Sequence, residues 1–163
     1  MRFEVLGPVR VCTDTGEATL APKPRAVLAV LLAARGRPVT AERLLAELWP
    51  DGAPSTASAT LQMHVSALRK IVGDRMQAAS GGYRLDLAGA GFDAAEFERT
   101  ADLALWRGEA FDGVAAGPSV AAAAARLTEL RLAARLQWAQ HTLAAGRPAA
   151  AATELAGWVA EQP

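Results

Sequence analysis

The sequence predicts an α+β fold for the first half of the chain and an all-α fold for the second half. Patterns typical of strands stand near both ends of the first 88 residues, and three patterns typical of helices lie between them. From Phe92 onward alanine is frequent and strand patterns are absent, so no further strand is expected. Hydrophobic residues form 52% of the 163 residues, which is ample for a buried core.

We expect the chain to open with a small antiparallel sheet. Apolar residues alternate with others over residues 2–6 and 9–13, and Gly7-Pro8 separates these two runs. Asp14-Thr15-Gly16 is typical of a turn, and residues 18–21 can supply a third strand.

Two helices are expected next. Pro24 suits the first position of a helix, and Gly36 suits a helix C-terminus. The apolar stripe between them consists of Val27, Leu28, Leu31 and Leu32. Thr40 can cap a second helix through its hydroxyl group, and Glu42 lies in the first turn, where the helix dipole favours an anion. The apolar residues of the second helix are Leu44, Leu45, Leu48 and Trp49.

Residues 56–72 predict a third helix with two different faces, and Ser55 is a candidate cap for it. One face is apolar and repeats at helical spacing through Leu61, Val65, Leu68 and Val72. The opposite face carries Thr56, Thr60, Met63, Ser66, Ala67 and Lys70, flanked by Gln62, His64 and Arg69. Such a face suits the major groove of DNA, which admits a helix and offers base edges to polar side chains. The pattern also fits an ordinary amphipathic helix with a solvated outer face.

The order of the elements favours DNA recognition. Residues 75–79 and 83–87 predict a hairpin around Ser80-Gly81-Gly82, with Tyr83, Leu85 and Leu87 on one face. Sheet, three helices and hairpin is the order of a winged helix-turn-helix, in which the third helix enters the major groove and the hairpin, or wing, touches the flanking DNA. Arg75 or Arg84 can supply the cation of the wing beside Tyr83, although Arg84 also fits a structural surface role.

The second half predicts helices alone. Asp93 can cap a helix that extends to Trp106 and buries Phe97, Ala101, Ala104 and Leu105. Residues 120–145 and 148–160 predict a long helix and a final one. Successive helical hairpins of this kind are typical of tetratricopeptide-like domains, although no repeat of about 34 residues can be laid over the sequence.

Charge and composition exclude several classes of protein. Residues 1–90 contain eleven Lys or Arg and eight Asp or Glu, whereas residues 91–163 contain six and nine, so a net charge of zero divides into +3 and −3.

The longest apolar run, residues 26–34, is shorter than the roughly 20 residues that cross a bilayer, and the single Cys12 cannot form an internal disulfide. No phosphate-binding loop, metal-ligand cluster or nucleophile motif is present. We therefore expect a cytoplasmic protein that is not an enzyme, has no membrane partner and needs neither a metal nor a cofactor.

Several motifs together resemble the Streptomyces antibiotic regulatory protein family. In the first half they are MRFEVLGPVR (1–10), LLAELWP (44–50), LQMHVSALRK (61–70) and GYRL (82–85). In the second half FE (97–98), LWRG (105–108), ARLTELRL (125–132) and VAEQP (159–163) resemble the bacterial transcriptional activation domain of that family. The resemblance covers nearly the whole chain, and its specificity lies in the order and spacing of the motifs.

This resemblance implies an OmpR/PhoB-type winged-helix domain over residues 1–88 and a bacterial transcriptional activation domain over residues 92–163. It implies a nucleoid-associated activator of a biosynthetic gene cluster that binds direct repeats in double-stranded promoter DNA. Two copies would lie side by side as a homodimer on the DNA and recruit RNA polymerase holoenzyme. By the same resemblance, Thr60, Met63, His64 and Ala67 face the groove, and Arg69 and Lys70 contact the DNA backbone.

Two positions depart from the pattern of the family. Ala67 stands where relatives often carry an arginine that reads bases, and Ala79 stands where an arginine often reaches the minor groove. A bidentate contact of arginine with guanine contributes about 1 to 3 kcal/mol of discrimination, so these alanines would weaken or relax recognition. Either the protein reads a different DNA sequence, or it is a protein-interaction module that keeps the winged helix with weakened DNA binding. Relatives continue beyond the position of Pro163, so the activation domain is expected to be incomplete.

Overall fold

The computed structural model describes residues 1–79, 81–115 and 117–160, and this part of the chain contains seven short strands and six α-helices. The strands are β1 (Arg2–Glu4), β2 (Arg10–Thr13), β3 (Gly16–Glu17), β4 (Val39–Thr40), β5 (Met76–Ala79), β6 (Gly82–Leu85) and β7 (Gly91–Phe92). The helices are α1 (Pro22–Ala33), α2 (Ala41–Leu48), α3 (Ala57–Val72), α4 (Asp93–Thr100), α5 (Pro118–Ala144) and α6 (Pro148–Ala160).

The N-terminal sheet has the strand order β3-β2-β1-β7. β1 and β2 pair antiparallel, as predicted. The prediction of a third strand at residues 18–21 is wrong, because the tight turn after Thr13 places Gly16 directly opposite Thr13 and pairing begins there. The prediction that no strand follows from Phe92 onward is also wrong, because Phe92 pairs parallel with Phe3. The sheet is therefore mixed and not purely antiparallel.

The central helix of the fold is α1, which contacts α2, α3, α5 and β6. Every residue from 26 to 32 is buried. The helix begins at Pro22, two residues before the predicted start at Pro24, and proline is tolerated there because N–H groups of the first turn have no acceptor within the helix. Arg35 and Gly36 follow the end of the helix with φ of 53° and 78°, which confirms that the helix stops close to Gly36.

The other two helices of the first half, α2 and α3, pack on α1 through apolar faces. Thr40 caps α2 as predicted, since its Oγ1 accepts a hydrogen bond from the N–H of Arg43 at 3.2 Å. Ser55 does not cap α3: the helix begins after Thr56, whose φ and ψ of −87° and −1° are already helical, whereas capping residues are usually extended. The predicted core face of α3 is confirmed, and its buried members are Leu61, Val65, Leu68 and Val72.

A second sheet, with the order β4-β6-β5, carries the wing. β5 and β6 form an antiparallel hairpin in which Ala79 lies opposite Gly82, and β4 adds Val39 opposite Tyr83. The hairpin is confirmed, but its strands are shorter than predicted, since Arg75 lies in a 3₁₀ turn before β5 and residue 87 lies beyond β6. Ser80, predicted to form the turn, lies outside the described residues.

Asp93 has a role other than the predicted helix cap. Its side chain is 1% exposed and turns towards the end of β1, where its oxygens accept hydrogen bonds from the backbone N–H groups of Val5 at 2.9 Å and Leu6 at 3.0 Å. Arg107 donates to the same carboxylate at 2.8 Å and also pairs with Glu4 at 3.2 Å. A buried charge that was not paired in this way would be strongly unfavourable, so the three segments are fixed relative to one another.

The predicted helix from Asp93 to Trp106 is shorter in the structure. α4 ends at Thr100 because Ala101 adopts the left-handed conformation with φ of 54°. A 3₁₀ turn follows at Leu103–Leu105. Phe97 is buried as predicted, whereas Ala101 and Ala104 are exposed, because the helix stops before it can turn them inward.

The two long helices of the second half lie close to their predicted bounds. α6 packs against the C-terminal part of α5, where Trp138 and Trp158 meet edge to face with ring centroids 5.2 Å apart. The N-terminus of α5 rests on α2, since Glu47 is 4% exposed and its two oxygens accept from the N–H of Ser119 at 3.1 and 3.2 Å. A carboxylate at this position interacts favourably with the dipole of a helix of 27 residues.

One apolar core runs through residues of both predicted domains, from Phe3 in β1 to Leu127 and Ala134 in α5. The division of the chain into residues 1–88 and 92–163 stays a prediction. In the described ranges, no helix combines the length and the apolar character that crossing a membrane requires. The same ranges contain no group of three or more His, Cys, Asp or Glu side chains arranged to hold a metal ion.

The substitution Asp93→Asn is expected to lower the free energy of unfolding by about 3 kcal/mol, because it leaves the guanidinium of Arg107 and two backbone N–H groups with poorer acceptors. Urea denaturation of the intact chain measures this loss. Asp112→Asn removes a carboxylate from an exposed side chain nearby and serves as the control, with little change expected. Equal stability of the Asp93→Asn variant and the original chain would contradict the role assigned to Asp93.

Candidate nucleic-acid interface

The outer face of α3 is open to solvent. Its exposed members are Thr56, Gln62, Met63, Ser66, Ala67, Arg69 and Lys70. The apolar side chain of Met63 is 64% exposed. Because the opposite face is anchored in the core, the helix presents these side chains as one rigid surface.

No carboxylate interrupts this surface within α3. Arg69 and Lys70 lie in the last turn, where cations also stabilise the helix dipole. For Lys70 the described residues provide neither a hydrogen bond nor an ion pair, so its ammonium group is available to an external anion. The nearest acidic residue along the chain, Asp74, follows the helix in an exposed 3₁₀ turn.

The side chain of Thr60, near the start of α3, is less available to a partner than the sequence suggests. The hydroxyl of Thr60 donates a hydrogen bond to the backbone carbonyl of Thr56 at 3.0 Å. Thr60 is half-buried. Because its hydroxyl hydrogen is used within the helix, the hydroxyl oxygen and the methyl group remain for contact with a partner. Back-bonding of this kind is common for threonine inside helices.

His64 lies at the edge of the exposed surface and points partly inward. It is half-buried, and its Nε2 atom is enclosed without a hydrogen-bond partner among the described residues. Burial, together with the positive charge of Lys23, lowers the pKa of the His64 imidazole below its usual value, so the ring is neutral at pH 7. A contact of His64 with DNA would therefore be made by a neutral ring.

Arg69 connects α3 to the wing. Its Nε donates to the backbone carbonyl of Met76 at 3.3 Å, and its guanidinium lies 5.9 Å from the centre of the Tyr83 ring. Both partners are neutral, so the charge of Arg69 is not cancelled, and the remaining N–H groups of the guanidinium stay available. The sequence indicated the charge of Arg69 but not this bracing contact.

The two candidate cations of the wing are placed differently. Arg75 donates from Nη1 to the backbone carbonyls of Asp86 at 3.1 Å and Ala88 at 2.8 Å, which fixes it at the base of the hairpin. Arg84 is exposed on β6 and donates to the side chain of Gln77, its partner across the hairpin. Gln77 was not among the predicted site residues, and the hairpin register is the signal that identifies it.

A shallow depression of about 550 Å³ lies between α3 and the wing. Its lining residues are Ala41, Gln62, Ala78, Ala79, Gly81, Gly82 and Tyr83. Apart from Gln62 and Tyr83 they are small, so the backbone of the wing lies close to the surface. The depression brings the predicted site residues Gln62 and Tyr83 together.

Gly82 allows the wing to approach α2 closely. A Cβ atom at this position would lie 2.0 Å from the carbonyl oxygen of Val39 and 2.6 Å from the Cα of Thr40. These are backbone atoms and cannot rotate away, so glycine is required here unless β4 and the wing move apart.

Comparison with known proteins decides the family. The family model described as "Transcriptional regulatory protein, C terminal" matches residues 15–85, and that described as "Bacterial transcriptional activator domain" matches residues 74–163. The regulatory protein AfsR of Streptomyces coelicolor is 40% identical over 157 residues, covering 81% of this chain and 16% of AfsR. The regulatory protein DnrI of Streptomyces peucetius is 29% identical over 197 residues, covering 100% of this chain and 72% of DnrI. The chain belongs to the Streptomyces antibiotic regulatory protein family.

This member of the family also resembles the transcriptional regulatory protein EmbR of Mycobacterium tuberculosis, with 33% identity over 190 residues. The match covers 99% of the chain and 49% of EmbR, so the chain spans about half the length of that relative. A solved structure of EmbR in complex with a low affinity phosphopeptide superposes with a TM-score of 0.88 and 30% identity, over 99% of this chain and 50% of EmbR. The winged-helix-like α+β architecture of the first half agrees with this match and with the matching regulatory family.

The substitution Gly82→Ala is expected to destabilise the chain by about 1 to 3 kcal/mol, since the added methyl group overlaps the backbone of β4. Urea denaturation measures the change. Gly157→Ala is the matched control: this glycine lies in α6, nothing lies within 4 Å of the position of its Cβ atom, and alanine favours a helix. A loss as large in the control as at Gly82 would contradict the steric explanation.

Proposed function

We propose that this chain binds double-stranded promoter DNA sequence-specifically and regulates transcription, with α3 in the major groove and the wing beside it. The observation that supports this most is the exposed face of α3, which contains two cations and no carboxylate and is held rigid by its buried residues. A helix of this kind next to a small hairpin is the arrangement that winged-helix proteins use for DNA.

The proposed contacts divide into two kinds. Lys70 and Arg69 contact phosphates and position the protein, whereas Met63, Ser66 and Ala67 lie at the level of the base edges. Around them, the predicted site includes Thr56, Thr60, Gln62 and His64 on the helix and Arg75, Tyr83 and Arg84 on the wing side. Arg84 is the wing cation best placed to reach DNA, because Arg75 is held by two backbone carbonyls.

The larger assembly is part of the same proposal. Two copies bind direct repeats side by side, and the chain recruits RNA polymerase holoenzyme to activate a biosynthetic gene cluster. The description of the matching family as a transcriptional activator domain supports an activating role for the second half. We further propose that α5 and α6 begin a tetratricopeptide-like domain, that the protein is nucleoid-associated in the cytoplasm, and that it is not an enzyme.

Selection of bound duplexes from random DNA, followed by mobility shifts with the selected sequences, tests the proposal. We expect enrichment of a repeated motif and a complex whose affinity falls steeply with salt. If the folded protein formed no complex with DNA at low salt, the proposal of DNA binding would be wrong.

The substitution Lys70→Ala is expected to weaken binding to selected and unselected duplexes alike, and to reduce the slope of log K against log salt by about 1, because one phosphate contact is lost. Fluorescence anisotropy over a salt series measures both effects. Arg147→Ala removes the same charge from the exposed connection between α5 and α6 and is the control. An unchanged salt slope in the Lys70→Ala variant would show that Lys70 does not contact a DNA phosphate.

The substitution Met63→Ala is expected to change the preference for DNA sequence, unlike Lys70→Ala, which lowers affinity for all duplexes. The loss of an apolar contact with a base edge should reduce preference at one base-pair position roughly five-fold, with little change in salt dependence. Repeating the duplex selection with this variant reveals the altered position. An identical selected motif would place Met63 outside the contact with bases.

A protein-interaction module with weakened DNA binding is the alternative function. The observation that favours it is that Arg69, Arg75 and Arg84 all donate hydrogen bonds within the chain, while Ala67 and Ala79 offer no cation. Pull-down from the native cytoplasm with and without nuclease separates the two functions. Partners that survive nuclease treatment, together with no mobility shift, would favour the alternative.

A further inference from the structure

A cleft of about 600 Å³ separates the DNA-facing unit from the long helix of the second half. It lies between the C-terminal half of α1, β4, the start of α2 and the first turns of α5. Its lining residues are Val30, Ala33, Ala34, Arg35, Arg37, Pro38, Val39, Arg43, Ser119, Ala122, Ala123 and Arg126. The exposed face of α3 and the depression beside the wing contribute no residue to this lining.

The lining of the cleft combines small apolar side chains with four arginines and Ser119. Ala33 and Ala34 line it from α1, and Ala122 and Ala123 line it from α5. α1 and α5 approach each other closely beside the cleft. Their small side chains leave open space there, where larger side chains would have filled the volume. The volume falls within the range of about 300 to 1,000 Å³ that is typical of small-molecule sites.

The charged residues that line the cleft are all arginines in the described part of the chain: Arg35, Arg37, Arg43 and Arg126. Arg35 and Arg126 are held by Glu98, which accepts two bonds of 2.6 Å from Arg35 and a further one from Arg126. Burial raises the pKa of the Glu98 carboxyl, but the hydrogen bonds and charges of both arginines outweigh burial and hold that pKa below its usual value. Glu98 therefore remains charged and fixes two of the four guanidinium groups.

Arg37 and Arg43 are the two arginines of the lining that do not contact Glu98. Arg37 uses only its Nε, which donates to the backbone carbonyl of Ala34 at 3.1 Å. Arg43 has a side chain that is 64% exposed and lies 3.9 Å from Glu47, at the limit of an ion pair. Ser119 also lines the cleft, and its hydroxyl oxygen is buried without a hydrogen-bond partner among the described residues.

We propose that this cleft binds a small organic anion, in which an apolar body packs between the alanines of α1 and α5 and one carboxylate, sulfonate or phosphate group meets Arg37 and Arg43. The apolar walls disfavour an inorganic ion, which would leave them unfilled. The volume is too small for a nucleic-acid duplex. The inference goes beyond the proposed DNA binding and does not depend on it.

Fluorescence titration of the full chain with anilinonaphthalene sulfonate tests the proposal, because this probe combines an aromatic body with one anionic group. We expect saturable binding with one site per chain. The double substitution Arg37→Gln and Arg43→Gln should weaken binding at least about tenfold, since charge-assisted hydrogen bonds are lost. Ala122→Trp fills the cleft and should also abolish saturable binding, and circular dichroism verifies that each variant is folded.

Arg147→Gln is the control for the loss of an arginine outside the cleft, because Arg147 is exposed in the connection between α5 and α6. Leu143 in α5 and Leu155 in α6 provide exposed apolar surface away from the cleft lining. We expect no change in the affinity of this variant for the probe. Unchanged affinity in the folded double variant or in Ala122→Trp would overturn the proposal, since the probe would then bind elsewhere. Competition by inorganic phosphate as strong as that by naphthalene sulfonate would overturn the role assigned to the apolar walls.

Discussion

The buried carboxylate of Asp93 is the interaction on which the relative position of the two halves of the chain depends. It accepts hydrogen bonds from the N–H groups of Val5 and Leu6 and from Arg107, so the end of β1, the start of α4 and the segment after Trp106 meet at one charge. Desolvating a carboxylate is strongly unfavourable unless such partners are all in place. The same contact explains how β7, a strand of only two residues, keeps its parallel pairing with β1.

Glu47 makes a second connection of this kind, closer to the proposed DNA surface. It belongs to α2, which packs on the proposed recognition helix, and its carboxylate accepts from the N–H of Ser119 at the N-terminus of α5. Gly117 lies so close that a Cβ atom there would be 2.7 Å from Oε2 of Glu47. The first turn of α5 is therefore held against the unit that presents α3. Surfaces of the long helix consequently have a fixed orientation relative to the side chains exposed on α3.

The arginines of the molecule divide by the charge of their partners. Arg69, Arg75 and Arg84 donate to neutral oxygens of the backbone or of Gln77, so their positive charge persists at the surface. Arg35 and Arg126 instead share the carboxylate of Glu98, and Arg107 shares Glu4 and Asp93. A neutral partner positions an arginine without cancelling its charge. A carboxylate partner neutralises the charge, and the resulting ion pair holds two segments of the chain together. The positive excess of the first half thus lies partly at the wing, while much of the charge elsewhere holds segments together.

The sequence by itself determined the elements that depend on neighbours along the chain. The inner face of α3, the cap at Thr40, the stop near Gly36 and the hairpin all follow from spacing or local hydrogen bonds. It also indicated which side of α3 is exposed, and hence most of the candidate site. Only the tertiary structure decided the pairing of β7, the roles of Asp93 and Glu47 and the bracing of Arg69 on the wing. Val5, a partner of Asp93, and Ser119, the partner of Glu47, lie 88 and 72 residues away from these carboxylates. A pattern of local periodicity contains no information about which distant donor a buried carboxylate will meet.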